Sequence, residues 1–199
     1  EDCFNKLDIF VSLIFKKYKK TRYLSKNNNN YKRIDLINSV FPNAIILIPY
    51  RNPLQQAYSL LNQHKRFCEK QKKNKFILEY MNYLGHNEFG LNYKSWNLSI
   101  DYHDPFTLNH WLEQWYLYYK NIIKHFGDKK NVVLVYYDNL CNNPDLVKKI
   151  ILKLDLTPVD YSNFFKLSIK EFKDNYDGKI LSKCLDIEKQ IKTLSNNLL

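Results

Sequence analysis

The sequence predicts an α/β fold of three layers, with helices on both faces of a parallel sheet. Three observations carry that expectation. Residues 44–48 and 131–136 form apolar runs without polar alternation, the pattern of strands covered on both faces. Segments of helical period flank each run, and alternation of the two types is how a parallel sheet is built. Asn52-Pro53 and Asn143-Pro144 open helices soon after each run, with asparagine as N-cap and proline at the first helical position. With 199 residues, 45% hydrophobic and 16% aromatic, the chain can bury one core, so a single domain over 1–199 is expected.

Taken in order, Leu7, Phe10, Val11, Ile14 and Tyr18 recur at helical spacing. Lys16, Lys17, Lys19 and Lys20 crowd the end where cations suit the helix dipole. That predicts a packed helix of about four turns with a solvated basic end; a helix lying on a membrane surface is the lesser alternative. Residues 27–30, four asparagines, mark a loop. Residues 35–41 form a short helix ended by Pro42-Asn43, and the first strand follows, stopping at Pro49. Leu54, Ala57, Tyr58, Leu60 and Leu61 carry the next helix to about Lys73. Residues 75–104 hold Gly85, Gly90, many aromatics and no clear period, which reads as an insertion or an acceptor-binding lid. A helix over 107–126 bears Trp111, Trp115 and Tyr118, with both tryptophans expected in the core, and Gly127 stops it. After the second strand, a helix runs from Pro144 through Leu154. The last one, about 179–194, is polar enough to lie on the surface.

Lys+Arg of 31 against Asp+Glu of 20 gives +11, a field that draws in phosphates, nucleic acids or anionic lipids. No helix-turn-helix, zinc or ribonucleoprotein pattern accompanies it, so no nucleic-acid partner is expected. Cys3, Cys68, Cys141 and Cys184 lie far apart without a CxxC pair, which predicts neither a metal site nor a disulfide framework and fits a reducing compartment. Asn97-Leu98-Ser99 is a glycosylation triplet that would matter only in a secreted chain. The apolar runs fall far short of the ~20 residues that span a bilayer. A cytoplasmic chain is therefore expected. Met81 is the only methionine and the chain opens at Glu1, so an upstream piece is expected as well, which leaves a Golgi lumen open.

Ligands of parallel sheets bind beyond the carboxyl ends of the strands, where the next helix offers free N–H groups. Arg51 stands there, and Ser59 follows two turns into the helix. A guanidinium fork with one directed hydroxyl suits a dianionic phosphate monoester. The plainer alternative is a strand-end arginine paired with a local carboxylate.

Residues 41–53, Phe-Pro-Asn-Ala-Ile-Ile-Leu-Ile-Pro-Tyr-Arg-Asn-Pro, with Ser59 beyond, resemble the sulfotransferase segment that holds the 3′-phosphate of 3′-phosphoadenosine 5′-phosphosulfate. Residues 133–140, Val-Leu-Val-Tyr-Tyr-Asp-Asn-Leu, with Asn143-Pro144 and residues 154–156, are similar to that family's downstream strand and helix, with Asp138 where glutamate is usual. Residues 23–30 with Arg33 resemble its lysine-bearing segment, as in a bacterial branch that also has stretches like Gln63-His64 and residues 85–90. The resemblance implies a P-loop nucleotide-kinase-like sulfotransferase fold truncated at its N-terminus, since the glycine-rich 5′-phosphosulfate loop is missing: the four glycines are Gly85, Gly90, Gly127 and Gly178.

It further implies Arg51 and Ser59 as donor-binding residues, and Lys26 as the cation facing the leaving phosphate. The donor nucleotide would be the cosubstrate, without metal, and the acceptor a hydroxyl or amine, on a carbohydrate or small metabolite. Asn28 stands where the cytosolic branch has its histidine base, and asparagine takes no proton. His64, His86, His103 and Glu88 are the remaining candidates for that base. Lysines at 148–149 and over 166–173 could add phosphate attraction. A non-catalytic nucleotide-binding remnant and a basic nucleic-acid-binding module are the competing functions.

Overall fold

The computed structural model describes residues 2–96, 100–157, 160, 164–171 and 173–198, so the triplet at 97–99 lies outside the described residues. The chain divides into two compact units, 1–46 and 47–199.

In the first unit, helix α1 (Asp2–Tyr18) carries Lys16 and Lys17 in its last turn, where the sequence places the basic cluster. It ends in a Schellman motif: Lys19 adopts φ 51°, and Lys20 N–H reaches back to Phe15 C=O at 3.1 Å. The asparagine run is not all loop. Asn27 Oδ1 accepts the Asn29 N–H at 2.8 Å and caps a 3₁₀ turn over Asn28–Arg33. Helix α2 (Ile34–Val40) follows, with Ile34 buried.

Strand β1 (Ile46–Tyr50), whose residues from Leu47 open the second unit, is placed two residues later than the apolar run. Its side chains alternate: Ile48 and Tyr50 are buried, Leu47 and Pro49 exposed. Proline lacks the ladder donor and is tolerated at an edge, which is where β1 lies. Helix α3 (Pro53–Lys73) has the expected limits, fixed by Asn52 Oδ1 accepting the Gln55 N–H at 3.2 Å and by Pro53 at N1. Helix α4 (Lys75–Tyr83) occupies the start of the stretch read as aperiodic. Helix α5 (Leu108–Phe126) buries both Trp111 and Trp115, as expected. Strand β2 (Val132–Tyr136) is buried over four of its five residues. Helices α6 (Tyr137–Asn142), α7 (Pro144–Lys153) and α8 (Gly178–Leu198) complete the unit.

The three-layer parallel sheet is not what forms. The molecule is mostly helical, and among the described residues β1 and β2 make one two-stranded parallel sheet. The physical reason lies in the helices: α3, α5 and α8 bury their apolar stripes on one another, so few further strands are needed to cover them. Helix α8 is the clearest correction. Ile180, Cys184, Ile187 and Ile191 recur at helical spacing and are buried, and the Cys184 thiol donates to Leu112 C=O at 3.3 Å. An apolar stripe only one residue wide, set among lysines, serines and glutamines, made a core helix read as a surface one. On the other side of β2, Val133, Val135 and Ile150 form a small core with Leu140, Leu146 and Leu154.

Candidate functional site

Residues that follow the carboxyl ends of two adjacent parallel strands are brought together by the sheet itself. Arg51 follows β1 and Tyr137-Asp138 follow β2. The Arg51 guanidinium lies over the Tyr137 ring, 5.1 Å from its centroid, and its Nε is 3.9 Å from Asp138 Oδ1. That separation is too long for a hydrogen bond. Both atoms are buried, and neither has a hydrogen-bond partner among the described residues. The other carboxylate oxygen of Asp138 accepts the Tyr136 hydroxyl at 3.0 Å; burial and then that bond push the Tyr136 phenol well above its ordinary pKa.

The turn from β1 into α3 is held by Gln56. Its Oε1 accepts the Arg51 N–H at 3.2 Å and the Trp115 indole N–H at 3.1 Å, tying the turn to α5. Ser59, two turns into α3, shares with Arg51 a cavity of about 280 Å³, lined also by Pro49, Gln56, Leu60 and Tyr137.

An extended strap over 166–170 crosses this region with a two-residue period. Lys166 C=O accepts the Tyr137 hydroxyl at 3.2 Å and Ser168 C=O accepts Arg51 Nη2–H at 2.9 Å. Lys170 is clasped by Gln55 through Nε2–H to its C=O at 3.0 Å and through its own N–H to Oε1 at 2.9 Å. The Lys170 ammonium then donates to Ser59 Oγ at 3.3 Å. A guanidinium and a hydroxyl thus line one small cavity near the positive end of α3, with the Lys170 ammonium bonded to that hydroxyl and the Asp138 carboxylate beside the guanidinium. Burial raises the Tyr137 phenol, in the cavity lining, above its ordinary range. The arrangement can hold an oxyanion.

The other candidates are not among the residues lining this cavity. Lys26, in the first unit, is exposed and donates to Asn28 Oδ1 at 3.0 Å. His64 is buried among Tyr93, Phe106 and Trp111; its Nδ1 accepts the Gly90 N–H at 3.3 Å, which leaves Nε2–H facing Cys68 Sγ at 3.5 Å. Burial, then the neighbouring His110, pull its pKa below the usual histidine value. His86 Nδ1 meets Glu88 Oε1 at 2.8 Å, with Glu88 buried and His86 partly exposed. That pair precedes Gly90 and Leu91, the latter bonded to Gln71 Oε1, twelve residues and about 18 Å along α3 from Ser59. His103 is exposed. Arg51 and Ser59 are brought together, and the proposed bases are not among the residues lining their cavity.

The sequence assigns no site role to Gln56, Asp138 or Lys170, although Asp138 stands where glutamate is usual in the resembling segment and Lys170 lies within the lysine cluster over 166–173. Asp138 had a readable signal, because it follows β2 as Arg51 follows β1. No protein-family model, curated protein or solved structure matches the chain.

Proposed function

We propose that the chain binds 3′-phosphoadenosine 5′-phosphosulfate through its 3′-phosphate, between Arg51 and Ser59, and acts as a sulfotransferase toward a hydroxyl or amine acceptor. The observation that carries the reading is that two residues eight positions apart line one cavity, with a third donor, Lys170, bonded to Ser59. At about 280 Å³ the cavity sits at the lower edge of the roughly 300–1,000 Å³ typical of ligand pockets, a size for one phosphoryl group and its sugar. A planar fork, a hydroxyl and an ammonium together match the tetrahedral oxygens of a phosphate monoester. The reading rests on this cavity and on the resemblance of residues 41–59, and not on the scaffold.

Calorimetric titration with adenosine 3′,5′-bisphosphate at moderate salt tests the assignment. Arg51→Ala and Ser59→Ala should each weaken binding about tenfold or more, the scale of a lost charged hydrogen bond. Adenosine 5′-monophosphate, which lacks the 3′-phosphate, should bind no better than the variants bind the bisphosphate. Affinity indifferent to both substitutions would overturn the site. Sulfonated product formed from labelled donor separates transfer from binding alone.

A further inference from the structure

Helix α1 presents large apolar side chains on a face the fold leaves open. Ile9, Phe10 and Leu13 are 57%, 51% and 59% exposed, whereas Val11, on the opposite side, is 3% exposed. At 100° per residue, Lys16, Ile9, Leu13, Lys6, Lys17 and Phe10 follow one another within an arc of about 120°. Asp2, in the first turn, shares that register, but from Asn5 onward no acidic residue falls in the arc, because Asp8 points about 100° away from Ile9. Lys19, Lys20 and Arg22 continue the positive charge past the helix end. Scattered exposed apolar residues are ordinary, but three adjacent ones rimmed by cations on one helix face form a patch of defined chemistry.

We propose that this face of α1 docks on an anionic lipid surface, with Ile9, Phe10 and Leu13 entering the acyl boundary and the lysines meeting headgroup phosphates or carboxylates. The charge argues for this occupant over a second copy of the chain, since two such faces together would oppose lysine with lysine. The helix lies on the bilayer: no helix among the described residues is long and apolar enough to cross one. Its apolar residues supply insertion and its cations supply selectivity for negative lipid, the two ingredients of interfacial helices. Nothing in this depends on the nucleotide cavity of the second unit.

Co-sedimentation of the whole chain with phosphatidylcholine vesicles, with and without phosphatidylserine, tests it. The chain should partition onto the phosphatidylserine vesicles at least tenfold more strongly. Phe10→Ser with Leu13→Ser, and separately Lys16→Glu with Lys17→Glu, should each lower that partitioning at least tenfold with circular dichroism unchanged, because these positions are exposed. Equal partitioning onto both vesicle types, or none onto either, overturns the proposal. So does concentration-dependent self-association that the Phe10→Ser, Leu13→Ser variant abolishes in the absence of lipid, which would assign the face to a second copy.

Discussion

Gly90 shows how one residue fixes the loop that follows α4. Its φ of +96° lies in the region that side chains disfavour, and a Cβ there would stand 2.2 Å from Gln71 Oε1. The end of a glutamine side chain normally yields, but this one is buried and holds the Leu91 N–H at 2.7 Å. Gly90 N–H in turn donates to His64, so a shift here disturbs two buried hydrogen bonds. Gly90→Ala should therefore destabilise the second unit by about 2–3 kcal/mol, combining backbone strain with the displaced glutamine. Gly85 is the control: φ is +70° with no atom within 4 Å of its would-be Cβ, and alanine there should cost only about 1 kcal/mol. Urea unfolding of both variants measures the difference; equal losses would mean that Gln71 moves freely and the contact is unimportant.

At the scale of elements, the strap over 166–170 depends on a glutamine that faces it. Gln55 makes two hydrogen bonds to the Lys170 backbone, both exposed. Gln55→Ala should speed amide exchange over 166–171 while changing global stability by less than about 1 kcal/mol, since exposed bonds contribute little net and local opening is separable from unfolding. Unchanged exchange would show that the strap is held by Arg51 and Tyr137 without it. This part of the site was beyond sequence reading because Ser59 and Lys170 are 111 residues apart, and only folding sets one over the other. Arg51 and Ser59 were legible because a strand, a tight turn and an Asn-Pro helix start place them by local rules. Helix α3 was legible to the residue for the same reason, through its N-cap. The sheet is not: two apolar runs suggest a full parallel sheet, Pro49 reads as a stop although an edge strand accepts it, and the thin apolar stripe of α8 hides a core helix.

Over the whole molecule, the core of the second unit is aromatic and contains two histidines that make it sensitive to acid. His64 and His110 are 1% and 0% exposed and meet edge to face or at a tilt with Trp111, Tyr93 and Phe106. His110 Nδ1–H donates to Tyr102 C=O and its Nε2 accepts the Tyr93 hydroxyl, each at 2.6 Å, so the neutral ring is fully bonded. Burial lowers the pKa of both below the ordinary histidine value; the bond to Tyr102 C=O, then Glu113 and Asp104, oppose it for His110, and Asp104 opposes it for His64. The unfolded chain consequently binds more protons than the folded one once the pH falls below about 6.5. Stability from this source is complete above that pH and declines below it, until the lowered folded values are reached. The limiting slope is about 1.4 kcal/mol per pH unit for each histidine, or about 2.7 for the two. Urea midpoints between about pH 8 and pH 5 should be level above neutrality and fall steeply beneath it. His64→Gln, which can still accept the Gly90 N–H, should be less stable at pH 8 but lose about half of the acid slope. A flat profile from pH 7 to about 5.5 would show that both rings take up protons in the folded state in spite of their burial.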